Sequence, residues 1–337
     1  MRRIVLALVA LSIVGAVTYL SAFSSRQISL KNMVAPQVSF NSKPETTKLV
    51  FVGDIMLSRA IGSLMAKKKD YTFPFASTTD MIRSADIAFG NLESPLSSQG
   101  VRSGSIYSFR ADPKAVQGLV VAGFDVVSFA NNHVGDYGKQ AFLDTLSLLD
   151  KAGIHAVGAG VDYTSAHKPT MITVNNTTFA FLGYTNLLPV SLGGASSTPA
   201  VARYDDDEIV KADIVQAKEL ADVVIVSFHF GDEYETTHNA DQEHIAKLAI
   251  DSGASLVIGH HPHVVEEVEE YNGGYIFYSL GNFVFDQNFS KDTKKGLSAE
   301  VIFEGSRITR VVEREVAFTD DYQPYVTQIV EDRDAEI

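Results

Sequence analysis

The sequence predicts an α/β fold, and three observations predict it. Short runs of β-branched and aromatic residues recur along the chain, most of them preceded by a segment of helical pattern. A glycine or alanine marks the passage from helix to strand. Several of the runs then end in Asn, His or Glu, residue types that carry chemistry rather than packing.

The elements follow in order. A first strand over 49–52 leads into Gly53-Asp54, and a second over 86–89 leads into Gly90-Asn91-Leu92-Glu93. A helix over 115–121 precedes a strand over 125–129 and the tip Asn131-Asn132-His133. A helix over 139–151 is broken at Gly153 before 155–158. A helix over 207–220 precedes a strand over 223–227 and His229. A helix over 241–250 stops at Gly253, a strand covers 256–258, and Gly259-His260-His261-Pro262-His263 follows. Continuous apolar runs of this kind suit strands buried on both faces, and their alternation with helices argues α/β. The last section differs: strands over 275–278, 298–304 and 308–317, with a turn at Gly305-Ser306, imply mixed rather than purely parallel sheets.

At the amino terminus, Arg2 and Arg3 precede an uncharged, mostly apolar run over 4–25. About 20 apolar residues suffice to cross a membrane as a helix. The arginines predict a cytoplasmic amino terminus and an exported remainder. The run is long for a signal-peptide core, so an uncleaved anchor over 1–23 is favoured over a cleaved signal. Residues 24–47 read as a polar linker, 48–320 as the folded domain and 321–337 as a loosely held acidic tail. The expected location is therefore the cell membrane, single-pass, with the C-terminal domain extracytoplasmic.

Composition narrows the function classes. The net charge of −13 argues against a nucleic-acid partner. It also gives no general attraction for an anionic polymer, so an anionic substrate needs local positive charge, which metal ions can supply. The absence of cysteine excludes disulfides, thiolate zinc sites and a cysteine nucleophile.

In open α/β sheets, ligands bind beyond the carboxyl ends of the strands. Those ends carry Asp54, Glu93, Asn132, His133, His229, His261 and His263. The donors are nitrogen and oxygen without sulfur, which suits Mn, Fe or Zn in a one- or two-metal hydrolytic centre. The most specific local signal is the run of three histidines in four residues. In an extended segment residues two apart point the same way, so His261 and His263 are expected to share a site and His260 to face elsewhere. Glu233 lies close behind His229 in the sequence. A Gly-x-Ser-x-Gly elbow, a phosphate-binding Walker loop and a His-Glu-x-x-His helix are all missing.

Taken in order, the motifs resemble those of the CapA family of capsule and poly-γ-glutamate biosynthesis proteins, within the calcineurin-like metallophosphoesterase superfamily. They are Gly53-Asp54-Ile55-Met56-Leu57, Gly90-Asn91-Leu92-Glu93, Asn131-Asn132-His133 with Asp136-Tyr137-Gly138, Ser227-Phe228-His229-Phe230-Gly231 with Glu233-Tyr234, His261-Pro262-His263, and Ser279-Leu280-Gly281-Asn282-Phe283. The resemblance implies a four-layer α/β/β/α sandwich with two metals. It implies ligands at Asp54, Glu93, Asn132, His229, His261 and His263, His133 as the acid for the leaving group, and a metal-activated water as nucleophile. Asn91, Asn131, Asp136, Glu233 and Asn282 are expected around this shell or against substrate. The chain departs from the superfamily in two places. Met56 stands where Asp-x-His has its histidine, and Asn91 where an aspartate is usual; Asn91 is thus the alternative to Glu93 for the bridging role.

Two functions are compatible with this. One is an extracytoplasmic metal-dependent hydrolase acting on a phosphoester or an anionic polymer. The other is a non-catalytic accessory or polymer-binding subunit that works with other capsule or poly-γ-glutamate synthesis subunits.

Overall fold

The computed structural model describes residues 45–103, 106–189, 191–192 and 199–335. The anchor expected over 1–23, and the linker up to residue 44, lie outside the described residues. Among the described residues no helix is long and apolar enough to cross a membrane. The described residues all fall within one compact unit, Pro44–Ile337.

Two mixed sheets carry the fold. The first has the order β16-β15-β14-β1-β2-β3-β4, with β13 beside the end of β1. Here β1 is Thr46–Ile55, β2 Ile87–Leu92, β3 Val126–Ser128, β4 His155–Val157, β13 Asn282–Val284, β14 Lys295–Glu304, β15 Arg307–Phe318 and β16 Pro324–Asp334. Strands β1 to β4 run parallel, whereas β14, β15 and β16 form an antiparallel meander. The second sheet has the order β11-β12-β10-β9-β7-β6, from β6 Thr170–Val174, β7 Thr177–Thr185, β9 Val223–His229, β10 Leu256–His260, β11 Val268–Tyr271 and β12 Gly274–Phe277. Its four inner strands are parallel and its two edges antiparallel. Two short strands, β5 Ala159–Gly160 and β8 Ala200–Val201, pair separately.

Side-chain alternation stacks these sheets. In β1, Leu49 and Phe51 point into one core while Val50 and Val52 point into another. In β9, Val223 and Ile225 join Leu49 and Phe51, and Val224, Val226 and Phe228 turn the other way. The shared core lies between the sheets, where Phe89 of the first stacks on Phe181 of the second, centroids 6.0 Å apart. Each outer face is covered by helices. Met65 of α1 (Arg59–Lys68), Ile82 of α2 (Thr79–Arg83), Leu119 of α3 (Val116–Ala122) and Phe142 of α4 (Gly138–Lys151) pack on the first sheet. Past the short α5 (Tyr163–Ala166), Val210 and Ile214 of α6 (Asp207–Leu220) and Ile245 and Ala249 of α7 (Ala240–Asp251) pack on the second. This is the expected α/β/β/α layering, and it explains why the strands read as unbroken apolar runs: both of their faces are buried.

The helix ends are set by local chemistry. Asp206 caps α6 through the Glu208 N–H, and Asn239 forms a capping box with Gln242 at the start of α7. Helix α3 stops at Gly123, whose φ of 94° is left-handed.

One expectation is corrected. Most of the segment expected as a loose tail over 321–337 is instead a strand, Pro324–Asp334, paired along β15. Its charged residues meet opposite charges across the ladder: Arg310 holds Asp332 through two nitrogens at 2.7 and 2.6 Å, and Arg333 reaches Glu313 at 2.7 Å. The charge that suggested a solvated tail is cross-strand pairing on an exposed sheet face.

Behind α7, Glu266 is buried and accepts a 2.7 Å hydrogen bond from the Gln242 amide, while its other oxygen has no partner. Burial pushes its carboxyl up to about 7, and the Glu267 charge adds to this. A raised acid stabilises the fold below its unfolded value of about 4.3, and that contribution is lost as pH rises through 7. Glu266→Gln keeps an acceptor for Gln242 without the charge. The variant is therefore expected to gain about 2 kcal/mol over the parent between pH 4 and pH 8, after allowing for residual solvent access. Thermal melts at the two pH values check this, and an equal difference at both would refute it.

Candidate metal centre

The centre forms where the carboxyl ends of β1, β2 and β3 in one sheet meet those of β9 and β10 in the other. Strand register brings the residues level. Asp54 pairs with Asn91 across β1 and β2 and with Asn282 across β1 and β13, and His260 pairs with His229 across β10 and β9. Two close approaches lock the positions. A Cβ at Gly53 would lie 1.9 Å from the Gly281 carbonyl oxygen, and one at Gly259 equally close to that of Tyr278. Only glycine lets β1 and β10 pass these backbones, directly before Asp54 and His260.

Asp54, Glu93 and His229 are fully buried and offer ligand atoms within 4.8 Å of one another; Glu233, His261 and His263 form a second such group. Asp54 lies between the groups, with one oxygen 3.2 Å from His263 Nδ1. Asn132 joins the first group through its Oδ1, 3.0 Å from His229 Nε2. All six residues expected as ligands thus converge. Glu233, expected at the margin, stands beside His261 and His263.

The amides organise the carboxylates. Asn91 Nδ2 donates to Asp54 at 2.8 Å and to Glu93 at 3.1 Å, and it also lies 3.2 Å from His229 Nδ1. Asn131 Nδ2 donates to Asn91 Oδ1 at 3.2 Å and to the Leu92 carbonyl at 2.9 Å. That bond turns the NH₂ of Asn91 toward the acids. Asn282 Oδ1 lies 3.1 Å from His263 Nδ1, and its NH₂ donates to the His263 carbonyl. Met56, two residues past Asp54, is buried with its sulfur accepting from Ser58 N–H and hydroxyl.

His133 stands on the wall of an adjoining pocket of about 490 Å³, lined also by Arg59, Tyr107, Phe109, Asn132, Glu233 and His263, among others. Its Nδ1 lies 2.9 Å from Asp136 Oδ2, which also accepts the Phe109 N–H at 2.7 Å. A carboxylate only accepts, so Nδ1 carries the proton toward Asp136 and Nε2 is the nitrogen that exchanges.

Two readings of the histidine run are corrected. The backbone at His261 and His263 is not extended: their φ values are 102° and 59°. Their rings share the site because both residues take left-handed conformations, a costly geometry outside glycine. His260 does not face elsewhere. It ends β10 fully buried, with Nδ1 3.3 Å from Asp54 Oδ1. Once the segment leaves the strand, alternation no longer assigns faces, and only the third member of the run could have signalled it.

The electrostatics fit a cation. Burial pushes the Glu93 carboxyl well up, and the Asp54 charge pushes it further. Burial would raise Asp54 too, but hydrogen bonds to and charges on His260 and His263 outweigh it and hold it well below the usual range. Burial drives His229 well down, with the His261 charge adding to it; burial and the His263 charge lower His261 to about 3. Both rings are therefore neutral near pH 7, although His229 Nδ1 lies against the Asn91 amide and its Nε2 against Asn132 Oδ1. Glu93 Oε2 and His261 Nδ1 are buried without a hydrogen-bond partner. A buried oxygen and nitrogen of this kind, among neutral imidazoles and carboxylates, is the donor set a divalent metal satisfies.

Residues 48–287 match the family described as bacterial capsule synthesis protein PGA_cap. The chain belongs to this family. Among its relatives is the PGA biosynthesis protein CapA of Bacillus subtilis, 37% identical over 251 residues, covering 73% of this chain and 65% of the relative. Another is the capsule biosynthesis protein CapA of Bacillus anthracis, 32% identical, covering 75% of this chain and 63% of the relative. The chain thus spans slightly under two thirds of the length of these relatives. A crystal structure of a hypothetical protein from Thermus thermophilus is similar at a TM-score of 0.49 and 18% identity, covering 84% of this chain and 99% of that one. The matched family region contains every residue of both groups and His133.

Proposed function

We propose that this chain is a metal-dependent hydrolase of capsule or poly-γ-glutamate biosynthesis, tethered to the membrane by residues 1–23 with its C-terminal domain extracytoplasmic. The observation that carries the hydrolase reading is the pair of converging donor groups, the second of which shares Glu233 and His263 with the pocket that holds His133. In this reading Asp54, Glu93, Asn132 and His229 would hold one divalent cation, and Glu233, His261 and His263 would hold a second. Glu93 is preferred to Asn91 as the bridging acid, because Asn91 presents its NH₂, not its oxygen, to the carboxylates. A divalent cation in such a centre supplies Lewis acidity toward a phosphoryl or acyl oxygen.

The chain's own residues do the rest. Asn91 and Asn131 keep the two acids in place. Asp136 holds His133 by Nδ1, so that Nε2 can give a proton to the leaving group. Glu233 supplies the donor that Met56 does not.

Metal analysis of the full-length protein in detergent, beside His261→Ala, tests this reading. About two Mn, Fe or Zn per chain, reduced in the variant, is the expected result. No metal in either protein after incubation with all three would refute it.

The buried, internally bonded Met56 favours a second reading, in which the second group binds its ion weakly and the protein acts as an accessory or polymer-binding subunit. Metal binding without turnover of any phosphoester or anionic polymer, together with co-purification of other synthesis subunits, is what that reading predicts.

A further inference from the structure

From the pocket beside His133 we infer that Arg59 is a substrate-recognition residue: it binds a carboxylate or phosphate group that the substrate carries next to the bond being broken. The inference rests on the hydrolase reading for the identity of the pocket. Among the described residues lining that pocket, Arg59 is the one lysine or arginine, in a chain of net charge −13.

Three features separate it from an ordinary surface ion pair. Its guanidinium lies 3.2 Å from Asp286 Oδ1, and the two side chains are unequally exposed at 40% and 4%. No hydrogen bond from the guanidinium is formed with the described residues, so most of its five donors remain available. Asp286 is itself committed, because its other oxygen accepts the Ala60 N–H in the first turn of α1.

Second, the backbone delivers Arg59 to this place at a cost. Its φ is 51°, a left-handed conformation, although it is the first residue of α1. Such strain persists where the surrounding structure requires the geometry.

Third, Arg59 is coupled to the reacting end of the pocket through one ring. The guanidinium carbon lies 5.5 Å from the Phe109 centroid, and that ring lies 4.0 Å from the His133 imidazole. An anion on Arg59 would thus share the pocket with His133, with the Phe109 ring against both side chains. Tyr107 and Phe289, 62% and 64% exposed, line the same pocket and would contact an apolar stem between anion and scissile bond. A planar fork suits both carboxylate and phosphate oxygens.

The test is calorimetric titration of full-length protein in detergent, stripped of metal with chelator, using inorganic phosphate in one arm and glutarate in the other. Arg59→Ala is expected to weaken at least one of them roughly tenfold or more. Arg59→Lys restores this only in part, since a point charge lacks the fork. Asp286→Asn, which frees the guanidinium and keeps an acceptor for Ala60, is expected to tighten the same anion several-fold. The arm that responds names the group the substrate carries. Binding of both anions unmoved by Arg59→Ala and Asp286→Asn overturns the inference; if Arg59→Ala does not fold, an unmoved Asp286→Asn does so alone. Because the measurement needs neither metal nor turnover, Arg59-dependent binding in a protein that hydrolyses nothing would sink the hydrolase reading and leave Arg59 as an anion-binding residue without a scissile bond beside it.

Discussion

Replacing His133 by alanine is expected to lower turnover roughly 10²- to 10⁴-fold, the usual contribution of a positioned acid or base, while metal content stays at the parent value. The reason is its placement. His133 stands on the pocket wall outside both donor groups, so removing it takes no ligand from either. Its Nδ1 is committed to Asp136, and the Phe109 ring lies against its imidazole. Asp136→Asn is expected to produce a smaller loss, because the amide can keep one hydrogen bond but no longer fixes the tautomer. Steady-state rates with a chromogenic phosphoester, beside elemental analysis of the same preparations, check both. Unchanged turnover in His133→Ala would remove the residue from the chemistry.

The second large effect is on stability. Without a cation, the centre buries two acids beside imidazoles and leaves Glu93 Oε2 and His261 Nδ1 without partners. A divalent ion that binds only the folded state adds about 2.7 kcal/mol at a hundredfold excess over Kd. For a domain of this size that corresponds to about 5–10 °C in Tm per site. Chelation is expected to reverse the gain. Glu93→Gln is expected to melt higher than the parent when both are stripped, because it removes a buried charge, and to gain much less from metal. Scanning calorimetry in Mn, in Zn and in chelator reads this directly. A stripped parent that melts as high as the loaded one would mean that the donor groups hold nothing.

Much of the architecture was legible because burial on both faces leaves a strong mark. The run from Val223 to Phe228 is apolar at nearly every position, and the structure uses one parity for the inter-sheet core and the other for the helices. The site was legible as a set of strand ends, since parallel strands bring Asp54, Asn132 and His229 to one edge of the fold. What stayed hidden depends on contacts no local pattern encodes. His260 reaches Asp54 only because β10 lies where it does. Asn91 donates to Asp54 and Glu93 because Asn131 orients its amide. Glu233 finds His261 and His263 through a loop whose path has no periodic signal. The strand Pro324–Asp334 was masked by its charges, whose partners on β15 are visible only once the two are paired.

The centre belongs to neither sheet alone. Asp54 and Glu93 come from the first, and His229, His261 and His263 from the second. Bound ions would therefore act as rivets through the sandwich, and their affinity would serve as a gauge of how well the layers fit. Substitutions deep in the shared core, at Phe89 or Phe181, would be felt at the rivets as lost grip even though they touch no ligand. Tuning the seam would thus be a second route by which the sequence sets how strongly such a centre holds a metal.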